Sequence, residues 1–427
     1  MHWSRTRADL ALATFAELAQ KAAGYIVLAI LARHVDPSDM GRIFFAFTLA
    51  ALVSAATELG TGRYLIREVA TRPDSGLVRL GEVLTLRIPL VVGGFLLLNA
   101  AILLIRPDLA PVVLPTSAAV LVGDLYFAFG AYLVGRRAVG LRVATGLSGP
   151  LLLVLLVLVV VARGATLRQV LACYLASGCV TLAAGALAVR RRFGPIPFTG
   201  NRTGAWRAAR TSLPFFFLTV LGIAHFKVDT LLLFVLATPA AVAVYETGYK
   251  LFEVSRLLVR PTATVVFPVA AALASQGDWT GFARVLRRLF LAAGGLGIAV
   301  AALVLVSGGL LVSLAWGDRY AETVPVLRVL YLAVPAVYVA FVATFLAGAL
   351  HLEAAAAKVL AVCLVVNIGL NLVAIPRWGP VGAAMITLVT EMFAAAWLVA
   401  LVLRALRARG VRGGVEALEP LELSADG

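Results

Sequence analysis

Glu246, Lys250, Glu253, Arg256 and Arg260 recur every three or four residues within an otherwise apolar run. On an α-helix that spacing gathers them into one charged stripe. Just upstream, His225-Phe226-Lys227-Val228-Asp229 interrupts a second apolar run, Leu213–Leu236. A charge at the centre of a bilayer costs about 2.5–3.5 kcal/mol on insertion scales, so such residues persist where they face water or protein. The lysines and arginines offer fixed cations for an anionic group. The acids offer carboxylates whose proton affinity rises on desolvation, suited to H+ or Na+. Lys227 and Asp229 are two residues apart, so at about 200° they point apart and each meets another helix or a cavity. In the first apolar run Glu17 and Lys21 form an i,i+4 pair on a face shared with Thr14 and Gly24.

The candidate substrate-binding cations are therefore Lys21, Lys227, Lys250, Arg256 and Arg260. The candidate ion-coupling or cavity acids are Glu17, Asp124, Asp229, Glu246 and Glu253. Asp124 suits a cavity wall or a buried polar cluster equally, whereas Glu391, beside Thr390, reads as a packing residue of its helix. Asn367 and Asn371, again i,i+4, precede Gly379, Gly382, Ala383 and Ala384 and read as structural polar residues between closely packed helices. His225 reads as an aromatic-like core residue.

The elements that must position these groups follow from composition. Of 427 residues 62% are hydrophobic and 14% charged, and mean hydropathy is +0.98; a soluble domain carries about 25% charged residues. The chain is an all-α polytopic membrane protein. At about 20 apolar residues per span, twelve helices are expected, at 10–32, 43–62, 83–105, 111–134, 143–162, 168–189, 213–236, 240–262, 289–316, 324–350, 354–375 and 380–403. The first run is too long and too charged for a cleavable signal and reads as a retained helix.

With both termini in the cytoplasm, 24 basic residues fall on the cytoplasmic side and eight on the other. That is the bias of the positive-inside rule, and it accounts for the net charge of +15 without nucleic acid. Three of the four lysines, Lys21, Lys227 and Lys250, lie within spans, while the loops use arginine. The six-plus-six arrangement gives an N-terminal lobe (1–192), a basic cytoplasmic linker (193–212), a C-terminal lobe (213–404) and a disordered cytoplasmic tail (405–427). Pro37 followed by Gly41, and Pro239 followed by Ala243, mark equivalent turns in the two halves and suggest an internal duplication. A straight helix from Ala240 to Ser275 would be about 54 Å long, so a break or bend is expected at Pro261 or Pro268. Cys173, Cys179 and Cys363 lie in apolar spans with no disulfide or metal spacing. No phosphate loop, metal motif or nucleophile motif is present, so neither an enzyme nor a resident cofactor is expected.

Three segments carry a family resemblance: Leu31–Ala70 with Asp36-Pro37-Ser38-Asp39-Met40-Gly41 and Glu58-Leu59-Gly60; Pro214–Pro268 with Lys227-Val228-Asp229 and Tyr245-Glu246-Thr247-Gly248-Tyr249-Lys250; and Asn367-Ile368-Gly369-Leu370-Asn371 followed by Ile375-Pro376 and Gly382-Ala383-Ala384. In these the chain resembles the polysaccharide-transporter type of lipid-linked oligosaccharide flippase, related to multidrug exporters and the lipid II flippase in one exporter superfamily. The resemblance implies two six-helix lobes around a central cationic cavity that opens alternately to each side of the cytoplasmic membrane. It implies a polyprenyl-diphosphate-linked oligosaccharide as cargo, membrane lipids around it, and a polysaccharide polymerase and glycosyltransferases as partners. Transport would be coupled to Na+, H+ or the membrane potential. The competing readings are a cation-coupled multidrug exporter of the same architecture and a membrane polysaccharide polymerase or ligase. Excess interior cation argues against the exporter, and short extracytoplasmic loops argue against the polymerase.

Overall fold

The computed structural model describes residues 2–164, 166–198 and 201–410. The expected tail lies outside the described residues from 411 onward. Among the described residues all regular structure is helical, in α1 (His2–His34), α2 (Pro37–Glu58), α3 (Thr61–Thr71), α4 (Gly76–Ile105), α5 (Ala110–Gly135), α6 (Val139–Ala162), α7 (Leu167–Phe193), α8 (Arg202–Leu236), α9 (Pro239–Gln276), α10 (Trp279–Trp316), α11 (Thr323–Leu332), α12 (Val334–Ala349) and α13 (Glu353–Arg407). The expected spans all fall on these helices, with 43–62 divided between α2 and α3 and 324–350 between α11 and α12. Helices α11 and α12 meet at 43° and together are long and apolar enough for a broken span or a re-entrant loop. Helix α13 supplies two: its 55 residues would stretch about 82 Å if straight, against a hydrocarbon core of about 30 Å. Gly379, at φ 55° and ψ −137°, breaks it. The fold is that of an all-α polytopic membrane protein.

Local sequence explains the boundaries. Asp36 caps α2 by accepting from the Ser38 amide at 3.2 Å, and Pro37 occupies the first turn, where its missing N–H costs nothing. Helix α2 ends earlier than its apolar run implies, because Leu59 and Gly60 both turn left-handed, at φ 50° and 70°. The expected 43–62 span is thus two elements: the helix stops at Glu58 and α3 starts at Thr61. Helix α3 is amphipathic. Tyr64, Leu65 and Val69 join Leu80, Leu84, Tyr132 and Leu133 in a buried cluster, while Arg63 and Arg67 are exposed. Helix α9 is continuous in hydrogen bonding through Pro261 and Pro268.

By contacts the chain divides into two compact units, Met1–Ala243 and Val244–Gly427. In the first, α5 packs on α2, α4 and α7, α6 on α1 and α7, and α8 on α2, α3 and α4. The segment expected to be a linker belongs to this unit, and from Arg202 it is already helix α8. Asn201 caps α8 through the Gly204 amide at 3.1 Å and donates to buried Glu82 of α4 at 3.2 Å. Gly41 of α2 lies against the backbone carbonyl of Pro239, where a β-carbon would collide, and Phe45 stacks on Phe234 at 3.7 Å. The two turns matched in sequence, at Pro37–Gly41 and at Pro239, therefore meet in space. In the second unit α10 packs on α11 and α12, and α13 on both of these. A β-carbon on Gly297 would fall 2.6 Å from Pro335, so glycine permits the approach of α10 to α12.

Candidate functional site

The charged residues singled out by sequence fall into separate local systems. On α1, Lys21 lies 3.6 Å from Glu17, the expected i,i+4 pair. On α8, Asp229 is buried and Lys227 half-buried; His225 packs edge-on against Phe226 at 5.4 Å. On α9, Glu246 is buried, and Lys250 donates to Glu253 at 2.9 Å. Arg256 reaches Glu391 of α13 at 3.4 Å and also lies over the Phe252 ring at 5.6 Å. Arg260, at the far end of the stripe, is exposed. The structure thus joins Lys250 to an acid of its own helix and Arg256 to an acid across a helix contact. Glu391, expected as a packing residue, is that second acid.

Asp124 on α5 belongs to an enclosed ion pair. Arg87 of α4 donates to its carboxylate at 2.5 Å and to its backbone carbonyl at 2.9 Å, and Ser54 of α2 donates to the same carboxylate at 2.8 Å. Both charged side chains are enclosed, at 0% and 2% exposure. Three helices converge on this carboxylate. Arg87 was missed as an interior residue because it counts naturally among the basic residues of the preceding loop. The available signal was its place inside the apolar run at 83–105.

Beside Asp124 the first unit has a partly open cavity of about 550 Å³ walled by α1, α2, α3, α5, α6 and α7. Its charged lining is Glu58, Arg63, Asp124 and Arg142. Glu58 sits where α2 gives way to α3 and accepts from the Gly62 amide at 3.0 Å. Tyr126 bonds the Thr145 hydroxyl at 3.0 Å and donates to the Arg142 carbonyl at 3.1 Å. Gly146 opens the wall beside them: a β-carbon there would lie 2.8 Å from the Gln20 amide nitrogen and 3.0 Å from the Tyr126 hydroxyl. Phe47 and Tyr174 meet edge-on at 5.1 Å along another wall. Of the sequence candidates only Asp124 lines this space.

The second unit holds α9 by a ladder of hydroxyl groups. Thr247 bonds Thr323 at 2.9 Å, Tyr331 donates to the Leu251 carbonyl at 2.8 Å, and Tyr338 donates to the Ser255 carbonyl at 2.5 Å. The rungs on α9 are four residues apart, one per turn, so a single face of the helix is fixed to α11 and α12. On α13, Asn371 donates to Asn367 at 3.0 Å, and Asn367 donates to Thr390 at 3.4 Å, across the Gly379 break. These amides tie the two halves of α13 together. Among the described residues no group of three or more His, Cys, Asp and Glu side chains is placed to hold a metal ion. The three cysteines are free thiols.

Comparison with solved structures places this architecture. A multidrug-resistance MATE family transporter of the MOP superfamily, in an inward-facing conformation, matches with TM-score 0.72 and 14% identity over 91% of this chain and 95% of that one. The lipid II flippase MurJ, in an inward closed conformation, matches with TM-score 0.68 and 12% identity over 93% and 89% of the two chains. The Vibrio cholerae MATE transporter VcmN, in its bent form, matches with TM-score 0.54 and 15% identity over 94% and 98%. At such identities the likeness is one of fold, that of MOP superfamily transporters and flippases. Comparison with curated proteins returned no match. The sequence profile of the polysaccharide biosynthesis protein family matches residues 7–274, well over half of the chain, and the chain belongs to that family.

Proposed function

We propose that this protein moves a polyprenyl-diphosphate-linked oligosaccharide across the cytoplasmic membrane during assembly of a cell-surface polysaccharide. The observation that carries this reading is that the stretch matching the polysaccharide biosynthesis family, residues 7–274, contains every one of the candidate cations Lys21, Lys227, Lys250, Arg256 and Arg260. A lipid diphosphate entering an apolar interior needs fixed positive charge, and Coulomb attraction is strong where the dielectric is low. Lys21, Lys250 and Arg256 already have carboxylate partners in Glu17, Glu253 and Glu391. On this reading the diphosphate displaces those carboxylates, and the released acids take up H+ or Na+, which links cargo binding to the ion gradient. Asp229, buried on α8, is the acid assigned to that coupling. The polymerase that extends the polymer and the glycosyltransferases that build the cargo are the partners the reading calls for. It involves no covalent chemistry by this chain, no resident cofactor and no nucleic acid. The fold shared with MATE transporters favours no drug as cargo.

Translocation of a lipid-linked oligosaccharide in proteoliposomes, read by access of a glycosidase to the labelled sugar, tests the assignment. Lys250→Ala and Arg256→Ala are each expected to abolish translocation while inserting normally. Wild-type rates in both would remove the cations from the mechanism. Asp229→Asn is expected to erase the dependence of the rate on pH or Na+, and an unaltered dependence would exclude Asp229 as the coupling acid.

A further inference from the structure

We infer that the cytoplasmic end of the first unit is a binding surface for anionic phospholipid headgroups, formed where the end of α7 and the start of α8 flank α3. The inference stands apart from the reading of the cargo and uses none of the cations assigned to it. One buried cluster brings these elements together: Leu65 of α3 and Ala208 of α8 belong to it, and Phe193 and Ile196, at and just past the end of α7, pack against it.

Charge and depth fix the class of ligand. Arg190, Arg191 and Arg192 form the last turn of α7 and are all exposed. Successive helix positions are about 100° apart, so the three sweep about 200° of the helix surface, too wide an arc for one neighbouring helix. They follow directly on the expected 168–189 span, and Arg210 stands three residues before the 213–236 span. At 1.5 Å per residue these groups start within about 5 Å of the hydrocarbon edge, the depth of the lipid headgroups. The acids of this end do not offset them. Glu82 is buried and taken by Arg79 at 2.8 Å and Asn201 at 3.2 Å, and Glu68 lies 3.9 Å from Arg67. Exposed Asp74 is balanced by exposed Arg72, which leaves Arg190, Arg191, Arg192, Arg207 and Arg210 in excess.

The start of α8 adds aromatic surface at the same level. Ala205, Ala208 and Ala209 are buried, on a helix that packs on α3 and α4, while Trp206, Arg207 and Arg210 are exposed. Trp206 is 70% exposed, and Phe198, in the connection before it, is 61% exposed. A tryptophan at a membrane surface sits at headgroup level, and an arginine beside it offers phosphate two donors in one plane. The second unit treats its tryptophan differently, since Arg409 lies over the Trp279 ring at 4.9 Å. An acidic protein would need the arginines alone; open rings beside them at headgroup depth favour lipid.

The test uses the full-length protein, with phosphatidylglycerol and phosphatidylcholine of equal chain length as probes. Native mass spectrometry from an equimolar mixture should show preferential retention of phosphatidylglycerol. Joint replacement of Arg190, Arg191 and Arg192 by Gln should cut that preference about fivefold or more, the factor one basic residue contributes at an anionic surface. Arg207→Gln with Arg210→Gln should do the same. A control that removes equal charge from the opposite side, Arg163→Gln with Arg168→Gln and Arg319→Gln, should leave it unchanged. In proteoliposomes, brominated phosphatidylglycerol should quench tryptophan fluorescence more than brominated phosphatidylcholine, and the excess should vanish in Trp206→Phe. No preference in the wild type, a preference intact in both site variants, or an equal loss in the control would overturn the inference. Excess quenching that persists in Trp206→Phe would overturn it as well.

Discussion

The Arg87–Asp124 pair of the first unit and the pairs on α9 in the second handle charge in opposite ways. In the first, Arg87 and Asp124 come from different helices, 37 residues apart in sequence, and are sealed from solvent with Ser54 as an extra donor. In the second, Lys250 and Glu253 are neighbours on one helix, with side chains 20% and 42% exposed, and Arg256 and Glu391 are intermediate at 23% and 12%. A sealed pair has no water to replace a lost partner, so it acts as a fixed strut between helices. A partly solvated pair can exchange its partner for a ligand at small cost. On the proposed reading, the difference separates charge that holds the first unit together, as at Asp124, from charge available to cargo, as at Lys250.

The largest effect expected from breaking this contrast is at the strut. Arg87→Leu or Asp124→Leu alone leaves a buried charge uncompensated and should cost about 3–5 kcal/mol, seen as a large fall in melting temperature in detergent. The double substitution should recover most of that loss. A double variant as unstable as the worse single one would contradict the strut. Glu391→Gln, which leaves Arg256 with a neutral acceptor, should cost about 1.5 kcal/mol, as for a charge-assisted hydrogen bond. Glu253→Gln should cost less than about 1 kcal/mol, as exposed pairs do, and should change cargo affinity more than stability. Equal destabilisation by Glu391→Gln and Glu253→Gln would erase the gradation within α9.

Much of this architecture is legible in the sequence, because a span announces itself by length and hydropathy and a stripe by its period. The charged face of α9 and the Glu17–Lys21 pair follow from helical spacing alone. The early end of α2 does not: Leu59 and Gly60 lie inside the expected 43–62 span, and their left-handed backbone makes the elbow that starts α3. Arg87 looks like one more loop arginine until α4 and α5 are packed together. Glu391 shows no partner in sequence because Arg256 is 135 residues away. The cavity is hidden for the same reason: Gln20, Arg63, Arg142 and Thr181 come from four helices and share no motif. Periodicity reports one helix at a time, whereas a site of this kind is made by several.

The most direct measurement of the central claim is a paired transport assay on the wild-type protein in proteoliposomes under an imposed ion gradient. One set of vesicles carries a labelled polyprenyl-diphosphate-linked oligosaccharide, and the other a fluorescent cationic amphiphile. Gradient-dependent movement of the lipid-linked sugar, with no movement of the amphiphile, is the result the account predicts. Transport of the amphiphile while the lipid-linked sugar stays in its original leaflet would contradict it.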